Sequence, residues 1–225
     1  NGKKLELWVP IPKSNDVQKI SNLTFNTHEL QYEINTETDH GNKYLYILEE
    51  GGITEEKTIT MTFDVLRNEH QNVMYENVDP NQYMTSYNSV PTGSVFTTII
   101  KENQLTKTNI RGIYDYVLSG MHYGKPKSVD NKYYQSPWLF SDSSYGRNKV
   151  SRDEVVLLYQ KAVSENIDYT FGNGNSIYAC DIGVGNCTDY HSYFMSLGRT
   201  LEIPIRFHMG FSIPENSNGP VGGYH

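Results

Sequence analysis

The sequence predicts an α+β protein in two parts: an N-terminal antiparallel β-sandwich-like domain, then a domain of helices packed on an antiparallel sheet. Period-two alternation dominates the first hundred residues, and the apolar period becomes helical after about residue 95. Clusters of Gly, Pro and Asn punctuate the early strands at short intervals, as a sandwich of modest size requires.

The alternation is clearest in Leu5-Glu6-Leu7-Trp8-Val9 and in Thr58-Ile59-Thr60-Met61-Thr62-Phe63-Asp64-Val65, and it suits half-buried strands. Pro10, Pro12, Asn15-Asp16, Gly41-Asn42 and Gly51-Gly52 supply the turns between such runs. The stretch from Asp79 to Gly93, with Pro80, Pro91 and several Asn and Ser, reads as a linker. This sets the boundary near residue 95, giving domains at 1–95 and 96–225.

Beyond the boundary, Ile110, Ile113, Tyr114, Val117, Leu118 and Met121 share one helical face, with Thr106 and Thr108 available as caps and Gly124 as a stop. A polar, Tyr-rich excursion from Lys125 to Lys149 follows, anchored by Trp138 and Leu139. Ser151 with Glu154 reads as a capping box for a second helix through Val155, Leu158, Tyr159, Ala162 and Val163. Gly183-Val184-Gly185-Asn186 then turns into a third helix. It opens at Cys187, carries Tyr190, Phe194, Leu197 and Leu201 in phase with the thiol, and stops at Pro204. Ile205, Phe207, Met209, Phe211 and Ile213 alternate with Arg206, His208, Gly210 and Ser212 as a strand would.

Composition narrows the function classes. At 225 residues, 37% apolar, with 18 Tyr and 8 Phe, the chain can bury a real core. A net charge of -7 and the lack of any Lys/Arg cluster exclude the basic stripe that phosphate-backbone binding needs, so nucleic acid is not an expected partner. No apolar run approaches the roughly 18 residues of a membrane-spanning helix. The first residue is Asn1 rather than Met, which raises the expectation of a removed upstream segment and a periplasmic or extracellular location. Two cysteines, Cys180 and Cys187, are too few for a disulfide framework.

The chemistry gathers at Cys187. A thiol reacts as its thiolate, and unpaired N–H groups at a helix N-terminus favour negative charge there. Against this stands the plainer reading of a buried, inert cysteine, which placement after a Gly-rich turn weakens. A nucleophile of this kind needs a base. Among the histidines, His28, His40 and His70 belong to the β domain, and His122 suits the end of the first helix as a cation. His191, four residues after Cys187, is a neighbour on the same helix and a genuine rival.

Reach separates the last two. A helix from Cys187 to Leu201 is about 21 Å long, and a strand returning beside it regains the level of Cys187 after about six or seven residues. His208 then lies too low, whereas a hairpin back from Ile213 places Gly223-Tyr224-His225 near the sulfur. His225 is therefore read as general base and acid. A zinc site from Cys180, Cys187 and His191 lacks a Cys-x-x-Cys pair and a fourth ligand, and a Cys180–Cys187 disulfide would silence the nucleophile. Cys180 otherwise reads as packing beside the site, and Arg199 as a solvated or salt-bridged helix residue.

The run from Gly183 to Phe194, with Leu197-Gly198-Arg199, Ile203-Pro204-Ile205-Arg206-Phe207, Gly210-Phe211 and Gly222-Gly223-Tyr224-His225, resembles the core of bacterial transglutaminase-like proteins. The resemblance covers residues 183–225 densely and the helix from Thr108 to Met121 more loosely. It implies a papain-like fold and a Cys/His/Asp triad for acyl transfer, with Cys187 as nucleophile and His225 as base. The family's triad aspartate lies on the strand after the histidine, beyond residue 225, so the resemblance implies a core incomplete at its C-terminal end. Asp189 sits on the wrong side of the nucleophile for that role.

The expected function is thiol-dependent acyl transfer on a protein or peptide, at a peptide, isopeptide or glutamine carbonyl, with hydrolysis favoured over cross-linking and no cofactor or metal. The backbone N–H of Cys187 is expected to help bind the oxyanion. Asn186, Asp189, His191 and Tyr224 are the cleft candidates. The alternative is a catalytically silent binding module whose β domain, with its exposed Tyr and Asn, contacts a polymer or partner.

Overall fold

A computed structural model of the protein describes residues 3–69, 78–123 and 172–221, four short strands between residues 127 and 151, and the single helical positions Leu157, Gln160 and Ser164. It is a mixed α+β structure with antiparallel sheets, and the chain divides into two compact units, Asn1–Glu76 and Asn77–His225. The sequence places the change of pattern near residue 95; the units divide earlier.

In the first unit, β1 (Leu5–Ile11) pairs antiparallel with β4 (Lys43–Glu49), and β3 (Tyr32–Thr36) lies on the other side of β4. A second sheet pairs β2 (Gln18–Asn26) with β5 (Thr60–Arg67), its register shifting between Ser21 and Thr24. Asn22 has a φ of 52° inside that irregularity, a conformation Asn tolerates better than most residues. The alternation has its expected consequence. Leu7, Val9 and Ile11 of β1 and Leu45 and Ile47 of β4 meet Leu23, Phe25 and Met61 from the second sheet in one apolar cluster.

In the second unit, α1 (Val95–Glu102), α2 (Ile110–Gly120), α3 (Ser176–Ile182) and α4 (Cys187–Thr200) surround a core of Phe96, Ile113, Val117, Ala179, Tyr193 and Leu197. The helix predicted here forms, but only part of its predicted face is buried: Ile113, Val117 and Met121 enter the core, whereas Ile110, Tyr114 and Leu118 are exposed. Its cap is Asn109, whose side chain accepts from Gly112 N, rather than Thr106 or Thr108. Asn is the stronger capping residue, and it lies immediately before the first helical turn. The helix ends at Gly120, short of Gly124. β6 (His122–Tyr123) then pairs parallel with β11 (Val184–Gly185).

Within the excursion, β7 (Lys127–Val129) pairs with β8 (Lys132–Gln135), and β9 (Ser144–Tyr145) with β10 (Val150–Ser151). Ser151 is thus a strand residue opposite Ser144, not a helix cap. Trp138, Leu139 and most of the helix expected after Ser151 lie outside the described residues.

The stretch read as a linker is tied into the second unit. A 3-10 turn at Pro80–Tyr83 is capped by Asp79, Ser89 O accepts from Ser176 N at 2.8 Å, and Gly93 N donates to Thr200 Oγ1 at 2.9 Å. These bonds explain Arg199, which is not solvated and forms no ion pair among the described residues. It is 5% exposed, donating to Thr85 O at 2.8 Å and Ile205 O at 2.6 Å, with its guanidinium 5.1 Å from the Tyr87 ring centre. Two irregular segments flank the end of α4, and their carbonyls need donors that no sheet provides. Arg199→Met is expected to lower the unfolding free energy by about 2–4 kcal/mol in urea denaturation, because it strands those carbonyls.

The strand expected at Ile205–Ile213 does not form a ladder among the described residues; only Phe211 makes a bridge. Ile205 N donates instead to Tyr83 O at 3.0 Å, so the segment's first hydrogen bonds go to a turn and to Arg199.

Candidate active site

The local sequence builds the start of α4 through its caps. Gly183 follows α3 at a φ of 68°, the left-handed conformation that closes a helix and that Gly adopts without steric cost. Two residues of β11 carry the chain to Asn186, the N-cap of α4, whose side-chain oxygen accepts from Thr188 N at 3.0 Å and Asp189 N at 3.4 Å. Asp189 reaches back to accept from Asn186 N at 3.0 Å, completing a capping box. A Cβ on Gly185 would stand 2.5 Å from that of Asp189, so the approach to the helix requires glycine there.

Asp189 is fully buried, and besides Asn186 it accepts from Gly172 N at 3.0 Å. Burial pushes its carboxyl above the ordinary range, and the backbone N–H groups of Asn186, Gly172 and Gly174 oppose that rise. Its role is architectural: it fixes both the first turn of α4 and the loop from Gly172 to Gly174. The sequence reading placed it among the cleft candidates.

Cys187 is the first residue of α4 and partly exposed. The capping box occupies the N–H groups of Asn186, Thr188 and Asp189, and the N–H of Cys187 has no partner among the described residues. The polar side-chain neighbour of Sγ is Thr188 Oγ1, at 4.0 Å. Cys180 and Cys187 are both free thiols, so the disulfide alternative is not formed. Cys180 packs against the core and acts on Tyr193, whose phenol is pushed up first by burial and then by that cysteine.

His191, the rival base, has Nδ1 2.6 Å from Cys187 O and its ring centre 5.3 Å from that of Phe207. The imidazole is bound to the carbonyl of the first helical turn rather than to the sulfur. His122 enters β6 opposite Val184, its backbone N–H donating to Gly183 O at 2.8 Å.

The sequence reading missed Tyr123. It lies opposite Gly185, two residues before the nucleophile, and its exposed ring is 6.0 Å from that of Tyr190. Burial raises the Tyr190 phenol, and Tyr123 adds to the rise. No local signal marks a two-residue parallel pairing across sixty positions of chain.

Tyr224 and His225 lie outside the described residues. Among the described residues no group of three His, Cys, Asp or Glu gathers to hold a metal, and no helix is long and apolar enough to cross a membrane. The arrangement therefore displays a cysteine at a capped helix start whose own amide has no partner among the described residues. No curated protein and no solved structure matches the chain. A family model does: residues 145–225, which contain α3, α4 and the whole Cys187 motif, match the transglutaminase-like superfamily.

Proposed function

We propose that the protein is a cysteine-dependent acyltransferase that works mainly as a hydrolase on peptide, isopeptide or glutamine amide bonds. The Cys187 thiol passes its proton to His225 as the sulfur attacks the carbonyl carbon, so a C–S bond replaces the S–H bond and the carbonyl oxygen takes the negative charge. The C–N bond then breaks, and the leaving amine takes its proton from His225, the residue assigned as general acid and base. Water, giving a proton back to His225, cleaves the thioester and regenerates the thiol.

The observation that carries this reading is the Cys187 amide. The capping box occupies the N–H groups around it and leaves this one, attached to the nucleophile itself, available to an oxyanion. Superfamily resemblance over residues 145–225 supports the same chemistry. The test is to incubate the protein with glutamine-containing and isopeptide-linked peptides, quench in acid and map the adduct by mass spectrometry. An acyl group on Cys187 that Cys187→Ala abolishes is expected; turnover that survives Cys187→Ala overturns the reading.

A further inference from the structure

The outward face of the β1-β4-β3 sheet departs from the polar surface that a solvated sheet normally presents. Strand register places Trp8, Tyr46 and Glu33 in one row across the three strands, with Pro10, Tyr44 and Asn35 in the next. Trp8 is 56% exposed, and its ring centre lies 5.3 Å from that of Tyr46 at a tilt of 39°. The Tyr46 hydroxyl donates to Glu6 at 2.8 Å, which fixes the ring in place.

Acidic groups outnumber basic ones around this aromatic pair. Glu6 accepts from the Tyr46 hydroxyl and raises that phenol most, Glu33 stands opposite Tyr46 in the strand register, and Glu50 and Glu33 add to the rise. Lys4 is the cation among them, 3.3 Å from Glu6 and 4.0 Å from Glu50, which leaves Glu33 outside its ion pairs. Exposed aromatic faces edged by carboxylates attract cations twice over, through the ring quadrupole and through the negative field.

We propose that this sheet face is a docking surface for a basic peptide segment, with an Arg or Lys side chain laid over Trp8 between Glu6 and Glu33. The acidic balance of the face favours this partner over a neutral glycan, which would stack on the same rings without needing the carboxylates. The proposal does not depend on the chemistry of Cys187.

The test uses the full chain and a fluorescently labelled Gly-Arg-Gly-Arg-Gly-Arg peptide, with anisotropy read at low and high salt. A neutral oligosaccharide of six sugars is the competitor. Binding of the peptide is expected to weaken about tenfold in Trp8→Ala and a few-fold in Glu33→Gln, to persist in Trp8→Phe, and to fall as salt rises. Equal affinity in Trp8→Ala, no peptide binding at low salt, or displacement by the oligosaccharide would overturn it. Should Trp8→Ala lose its far-UV dichroism, Glu33→Lys decides, since it leaves the aromatic row intact: retained peptide affinity there overturns the proposal, and lost affinity upholds it.

Discussion

Cys187→Ser is expected to lower acyl transfer at least about a thousandfold while leaving the fold unchanged, because a hydroxyl in that position is a far weaker nucleophile at neutral pH. The substitution is close to isosteric. The N-terminal cap of α4 is made by Asn186 and Asp189, and among the described residues the polar side-chain partner of Cys187 is Thr188 Oγ1, at 4.0 Å. Unfolding by urea should therefore superimpose on that of the wild type. A matched loss of activity and stability would instead mark the cysteine as structural.

The second large effect is on stability. Asp189→Asn is expected to cost about 2–4 kcal/mol at acid pH, where the folded protein holds the carboxyl proton, since an amide presents two N–H groups where backbone donors already point. In the native protein the carboxylate accepts from Asn186 N and Gly172 N from a fully buried position. The pH dependence follows from the raised carboxyl, whose first cause is burial. A raised folded value means that the folded state holds the proton more tightly than the unfolded chain. The stability this group contributes is therefore fully present below the unfolded carboxyl value of about 3.9 and is lost as pH rises through the raised folded value. Wild type and Asp189→Asn, compared by urea unfolding across that window, should converge as pH rises. Divergence would show that the N–H bonds outweigh the burial.

Much of the frame around the site was legible. The phase of Ile113 and Val117 identified α2, and the Gly-rich turn before Cys187 located the start of α4 to the residue. The capping box was present in the sequence as Asn186 and Asp189, three apart, but the reading placed both among the cleft candidates, because burial of a carboxylate is uncommon and no pattern announces it. α3 escaped notice although both of its signals are there: Asn175 accepts from Ile177 N and Tyr178 N, and Gly183 closes the helix.

α1 was missed for a different reason. Val95, Thr97, Thr98, Ile99 and Ile100 are β-branched and favour strands by local preference, so its helicity rests on packing Phe96 into the core beside Ile113 and Leu197. Arg199 was misread because its partners are carbonyls of segments without regular structure, and only the folded chain brings Thr85 and Ile205 to one helix end. The run Ile205–Ile213 shows the converse: alternation states which residues could share a face, not whether a neighbouring strand pairs with them.

The most direct test of the site compares the protein's own two thiols. Both are free, but Cys187 sits at the capped helix start and Cys180 packs against Tyr193 and the core. Timed exposure to iodoacetamide near neutral pH, followed by peptide mapping, should show Cys187 alkylated faster than a free cysteine standard and well before Cys180. Alkylation of Cys187 no faster than the standard, or after Cys180, would contradict the activated nucleophile on which the proposed chemistry rests.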